Sequence, residues 1–250
     1  MNIFGNGNIV NICAKRGGKT TIIVNGQVFD GTDALAYTRF DKKIVVNEEV
    51  NDIFMQANSE DIILKKGNNL SARYTGSYAG EKEPEISYNV SGNKVTINVK
   101  SAEFMQNSRI EVSIPSGINK GVFKTASGDV SCTEEIGIDN IEFGSMSGDI
   151  ESNFGTKNIS LSTVSGDIEA IIETDFANIT STSGDIDLAI VKSKNVSISN
   201  VSGDIDAVVN EDCMVANLSS VSGKVKDRCK KVSTGTVISA NTVSGNIYLD

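Results

Sequence analysis

From residue 121 to the C-terminus, apolar side chains alternate with Ser, Thr, Asn and Glu in short runs, the period of a strand with one buried face. The runs keep a beat. A short phrase marks it, at Ser127-Gly128-Asp129, Ser147-Gly148-Asp149, Ser165-Gly166-Asp167, Ser183-Gly184-Asp185, Ser202-Gly203-Asp204, Ser222-Gly223-Lys224 and Ser244-Gly245-Asn246, with successive glycines 20, 18, 18, 19, 20 and 22 residues apart. Three places after each serine stand Val130, Ile150, Ile168, Ile186, Ile205, Val225 and Ile247; four places before stand Phe123, Phe143, Leu161, Ile179, Ile198, Leu218 and Ala240. Each repeat is therefore a strand, a turn and a second strand. Such a unit forms one coil of a solenoid, coils stack about 4.8 Å apart, and the aliphatic positions become internal ladders. At the turn, glycine is expected to supply positive φ while Ser and Asp bond nearby backbone amides.

Upstream the beat is weaker. Asn25-Gly26-Gln27 between Thr20–Val24 and Val28-Phe29 predicts a hairpin, whereas Gly17-Gly18-Lys19-Thr20 lacks the earlier glycine of a phosphate-binding loop, since Cys13 occupies that place. Asn58-Ser59-Glu60-Asp61-Ile62 is a degenerate copy of the corner phrase. Leu70–Ser77 and Glu85–Val90 predict strands, with Tyr74 and Tyr88 at the surface. Ser91-Gly92-Asn93-Lys94 repeats the corner ahead of Val95, Ile97 and Val99, and Ile110–Pro115 is another alternating strand. The expected division is an N-terminal β-hairpin segment, 1–50, serving as cap or docking arm, and a solenoid, 51–250, with irregular coils over 51–120 and repeat coils over 121–250.

The order of an Asn58-Ser59 corner, a Tyr-containing strand, Ser91-Gly92-Asn93-Lys94-Val95-Thr96-Ile97, a strand ending Ile114-Pro115 and serial Ser-Gly-Asp-Ile resembles the bacterial putative-adhesin family of β-solenoid domains, the DUF4097 type. The resemblance covers residues 50 to 250. It implies an all-β, single-stranded parallel β-helix of right-handed sense, and it brings no catalytic residues.

Composition narrows the function. A formal net charge of −9 over 250 residues argues against a nucleic-acid partner and an anionic membrane surface. No basic segment leads into a long apolar run, so no membrane insertion is expected; as written the chain is expected in the cytoplasm, and a leader outside it would point to the cell surface. Cys13, Cys132, Cys213 and Cys229 lack zinc-ligand spacing and are expected as free thiols, Cys132 as a small core residue. Histidine is absent, which removes the commonest general base. Neither a catalytic site nor a cofactor is expected.

The carboxylates are the remaining chemistry. Asp149, Asp167, Asp185 and Asp204 fall in one column with Asp129, and Glu151, Glu169, Asp187 and Asp206 in a second. Like charges about 5 Å apart repel, so the columns must be exposed, bonded to amides, partly protonated or bridged by cations. These eight are weak calcium candidates. Lys224 and Lys226, next in sequence, are expected to relieve the columns by attraction. The reading is a non-enzymatic structural or interaction module presenting an acidic, Ser/Thr/Asn-rich face to a protein or glycan; the rival is a calcium-binding or polysaccharide-cleaving β-helix. Finally, the chain ends in a strand, so an exposed last coil bearing Ile247 and Leu249 predicts end-to-end homodimers.

Overall fold

The computed structural model describes the backbone of residues 2–5, 8–14, 20–24, 27–30, 36–210 and 213–250, and the side chains of 36–210, 213 and 216–250. It falls into two units, Met1–Thr38 and Arg39–Asp250. In the first, Asn2–Gly5, Asn8–Ala14, Thr20–Val24 and Gln27–Asp30 form an antiparallel sheet in chain order. Val24 faces Gln27; the turn residues Asn25 and Gly26, like Gly17-Gly18-Lys19, lie outside the described residues.

The second unit is all-β, and among its described residues there is no helix. Its ladders follow the repeat. Asp52–Gln56 pairs in parallel with Lys120–Thr125, which pairs with Asn140–Ser145, and the ladder runs on through the later halves of Ile150–Ser162, Ile168–Thr180 and Ile186–Ser199. The companion ladder carries Ile62, Val130, Ile150, Ile168, Ile186, Ile205 and Ile247 in register, all at most 1% exposed. Each buried aliphatic is worth about 2 kcal/mol. The row holds the coils together. The 19-residue spacing before Gly203 is absorbed by one extra residue, Val191, where Ile172↔Ile190 gives way to Glu173↔Lys192.

Spatial order departs from chain order at the C-terminal end. Thr236–Thr242 lies between Ile186–Ser199 and Cys213–Ser220, and Ile247–Leu249 lies between Ile205–Val209 and Val225–Asp227. The last repeat in sequence is thus slotted inside. Ile247 and Leu249 are each 1% exposed, so the expected homodimer through an open C-terminal coil is corrected: the outer coil is Cys213–Asp227, where Val221 is 79% and Val225 42% exposed. Likewise Lys224 and Lys226 do not adjoin Asp204 and Asp206. Asn246 and Tyr248 stand between.

The other end corrects the purely parallel, single-stranded expectation, because the sheet is mixed. Ser71–Ala79 runs antiparallel to Phe104–Ile114, and Glu85–Ser91 antiparallel to Lys94–Lys100. Ser91-Gly92-Asn93-Lys94 is the turn of that second hairpin, with Ser91 opposite Lys94 and Gly92 at φ +59°, and not a solenoid corner. Lys94–Lys100 and Phe104–Ile114 then stack in parallel on Asp52–Gln56 and Asp61–Lys66. Tyr74, expected at the surface, is fully buried against Phe40, whose ring centre is 4.8 Å away.

Candidate functional site

The corner phrase is explained by stacking. A Cβ on Gly128 would overlap the carbonyl oxygen of Glu60, and one on Gly148, Gly166, Gly184, Gly203, Gly245 or Gly223 would overlap that of Gly128, Gly148, Gly166, Gly184, Gly203 or Gly245 respectively. Glycine is demanded by this close approach. Positive φ, the expected reason, holds among the repeat corners only at Gly203, at +147°. The same chain of contacts places Asn58-Ser59-Glu60-Asp61 as the first corner, as its sequence suggested.

Two residues before the serine of each Ser-Gly corner stands a hydroxyl, replaced once by the Asn200 amide, that the sequence reading passed over. Ser145 Oγ accepts the Gly148 amide at 2.8 Å and donates to Gly128 O at 3.0 Å; Thr163 repeats this with Gly166 and Gly148, and Thr125 with Gly128 and Glu60. Buried amides and carbonyls are satisfied coil by coil. Between this position and the serine stand Met146, Val164, Val201, Val243 and Val221, from 45% to 79% exposed, an apolar column on the outside of the corner, broken at Thr182, that was also missed. The signal was present as the recurring pattern Ser/Thr, apolar, Ser, Gly.

The first acidic column is tied to the backbone. Asp149 Oδ1 accepts the Asp167 amide, Asp167 that of Asp185 and Asp185 that of Asp204, each at 2.8 Å, while Asp204 accepts the Asn246 amide at 2.7 Å. Each carboxylate caps the next coil. The second column, Glu151, Glu169, Asp187 and Asp206, is in register but without such bonds among the described residues, and continues to Tyr248 and then Lys226. Asp149, Glu151, Asp167, Glu169 and Asp187 line one open groove of about 460 Å3. Beside it a groove of about 370 Å3 sets Glu169, Asp187 and Asp206 against Ile171 and Val208, which are 37% and 52% exposed. Asp185 and Asp204 continue the first column.

Asp204 of the first column is shifted one way, and Asp187 and Asp206 of the second the other. Hydrogen bonds from the Asn246 amide and side chain hold Asp204 below the usual carboxylate range. Partial burial, then the charges of Asp185, Glu169 and Asp167, push Asp187 up; burial, then Asp187, Asp204, Asp185 and Asp250, do the same to Asp206. A carboxyl depressed by folding stabilises above its unfolded pKa and loses that contribution as pH falls through the folded value; a raised one destabilises at neutral pH and is relieved as pH falls. Asp187→Asn is therefore expected to raise the melting temperature at neutral pH and low salt, with the gain shrinking at high salt and in acid. Asp204→Asn should lower it. Thermal unfolding across pH and ionic strength checks both signs.

Among the described residues, no three Cys, Asp or Glu side chains converge to hold a metal ion. The family model of Toastrack DUF4097 matches residues 42–250. The chain belongs to the DUF4097 family. A Bacteroides fragilis protein named "putative adhesin" shares the DUF4097 fold at TM-score 0.59 and 17% identity, covering 85% of this chain and 97% of that one. A Parabacteroides distasonis "putative lipid binding protein" aligns at TM-score 0.49 and 16% identity over 84% of this chain and 96% of its own. At these identities the likeness of this DUF4097 chain to solved structures shows fold alone. No curated protein matches it.

Proposed function

We propose that this DUF4097 chain is a non-enzymatic interaction module whose acidic face docks a cationic, partly apolar polypeptide. The second column carries the reading: Glu151, Glu169, Asp187 and Asp206 lie one coil apart, Asp187 and Asp206 are raised by burial and by the carboxylates around them, and apolar Ile171 and Val208 border them. No Lys or Arg among the described residues forms an ion pair with these four. An incoming cation would relieve that crowding, which is the electrostatic complementarity a specific interface uses. The adhesin-like name of the Bacteroides fragilis protein agrees with a binding role. A right-handed winding of the repeat coils and a capping or docking role for residues 1–50 belong to the same proposal; parallel connections within a sheet favour that hand.

Calorimetric titration with a lysine–leucine peptide tests it. Glu151→Lys/Glu169→Lys/Asp187→Lys should weaken binding by more than about tenfold, while Glu49→Lys/Glu81→Lys/Glu103→Lys, with the same charge change at exposed sites elsewhere, should not. Equal losses would reduce the effect to net charge and end the proposal. Saturable calcium binding abolished by the first triple alone would replace it with the cation-bridged reading of the columns.

A further inference from the structure

Among the described residues the outermost coil, Cys213–Asp227, pairs with a neighbour on one side only, and a cysteine stands at or just beyond each of its ends. Cys213 opens the strand Cys213–Ser220 and is fully buried; Cys229 follows two residues after the strand Val225–Asp227 and is partly exposed. The two thiols lie close enough to influence one another. The backbone fixes the approach: Cys213 forms a parallel bridge with Lys231, its amide donates to Lys230 O at 3.4 Å, and its carbonyl accepts the Val232 amide at 3.1 Å. Asp227 Oδ1 accepts both the Cys229 amide at 3.1 Å and Lys231 Nζ at 2.9 Å. Lys231 Nζ lies 3.7 Å from Cys213 Sγ. Two thiols, an ammonium and a carboxylate thus converge where the outer coil closes.

We propose that Cys213 and Cys229 are a reversible dithiol–disulfide pair that locks the outer coil shut. The oxidant is a small disulfide of the glutathione class. Cys229, the more exposed sulfur, gives up its proton and attacks one sulfur of the oxidant, forming a mixed disulfide and releasing one glutathione thiolate, which takes up that proton. Cys213 then gives up its proton and attacks Cys229 Sγ; the Cys213–Cys229 bond forms, the mixed disulfide breaks, and the second glutathione thiolate leaves and takes up that proton. Two protein thiols lose two electrons and one small disulfide becomes two thiols. Burial, followed by the neighbouring Cys213, pushes the Cys229 thiol up to about 11, so the first step quickens as pH rises. Cys132, pushed up to about 12 mainly by burial in the core, stands apart from this chemistry.

The test uses the full chain treated with oxidised glutathione, followed by alkylation of free thiols and peptide mapping. The expected result is a Cys213–Cys229 linkage with Cys132 free, and tryptic cleavage at Lys224, Lys226 and Arg228, which lie inside the closed loop, slowed about a hundredfold, as closure of a loop of this length implies. Cys229→Ser, at the more exposed site, should fold, form no linkage and keep the fast cleavage under oxidation. A Cys229 that stops at the glutathione adduct, a linkage to Cys13 or Cys132 instead, or a Cys213–Cys229 linkage that leaves cleavage unchanged would each overturn the lock.

Discussion

Gly184→Ala is expected to destabilise the chain by about 3 kcal/mol, lowering the melting temperature by roughly 6–12 °C for a domain of this size. The added methyl would coincide with the Gly166 carbonyl oxygen, crowd its carbon, and lie 2.9 Å from Asp167 Oδ1. Side chains can rotate away from an intruding methyl, but here the obstacle is the backbone of the next coil. Separating the two coils there would stretch the Asp185 amide bond to Asp167 and loosen the Ile168↔Ile186 register beneath it. Gly155→Ala is the control. The nearest atoms to a methyl added there are the Glu135 carboxylate oxygens and Glu173 O, at 3.7 Å, which is ordinary contact, and no positive φ applies. Within the strand Ile150–Ser162 that change should be neutral or stabilise by about 0.5 kcal/mol through reduced chain entropy. Thermal melts of both variants check the claim, and equal losses would mean that glycine at the corner is not a stacking requirement.

The corner was legible in sequence because one physical constraint acts on every coil and therefore repeats. Its cause was not. A lone sequence shows that glycine recurs, but positive φ and backbone overlap both select glycine, and only coordinates separate them. The apolar columns were legible for the same reason, since Phe123, Phe143, Leu161, Ile179 and Ile198 occupy equivalent places and do stack in register. What failed was the assumption that neighbours in sequence are neighbours in space. Ala240 sits between Ile198 and Leu218, and Ile247 between Ile205 and Val225. Alternation cannot encode such an exchange, because every coil offers the same faces.

The opposite bend of each coil was illegible for a different reason. It has no glycine phrase, and its chemistry is spread over long-range hydrogen bonds: Thr174 Oγ1 to Lys157 O at 2.7 Å, Thr236 Oγ1 to Ser193 O at 2.7 Å, and the ion pairs Lys157–Asp139 and Lys194–Asp175 at 2.6 and 2.9 Å. Hydroxyl and charged residues are common on solvated strands, so nothing marked these out. The acidic columns lay between the two cases. Their positions followed from the repeat, yet which column is bonded to amides and which is left to face solvent depends on two residues of offset from the turn.

Glu60→Ala is expected to cost about 3 kcal/mol, because Glu60 is a carboxylate with no solvent exposure whose burial is compensated entirely by donors. Its Oε2 accepts the Asn58 and Ser59 amides at 3.0 and 3.1 Å; its Oε1 accepts Tyr74 OH at 2.7 Å and Ser101 Oγ at 2.5 Å. The acid joins the first corner to Ser71–Ala79 and to the residue following Lys94–Lys100. These are the irregular coils, where no long row of isoleucines aligns the strands. Truncation leaves the buried Tyr74 hydroxyl without that acceptor and frees the part-buried Asn58 and Ser59 amides, so about a third of the loss should be shared with Tyr74. Tyr74→Phe alone should cost about 1 kcal/mol, and Glu60→Gln a similar amount, since its amide keeps an oxygen for the two backbone donors. In the double variant Glu60→Ala/Tyr74→Phe the loss should fall short of the sum by about 1 kcal/mol, the coupling expected of a shared buried bond. Denaturant unfolding of the four chains measures it. Strict additivity would show that the acid holds its corner without help from the tyrosine strand.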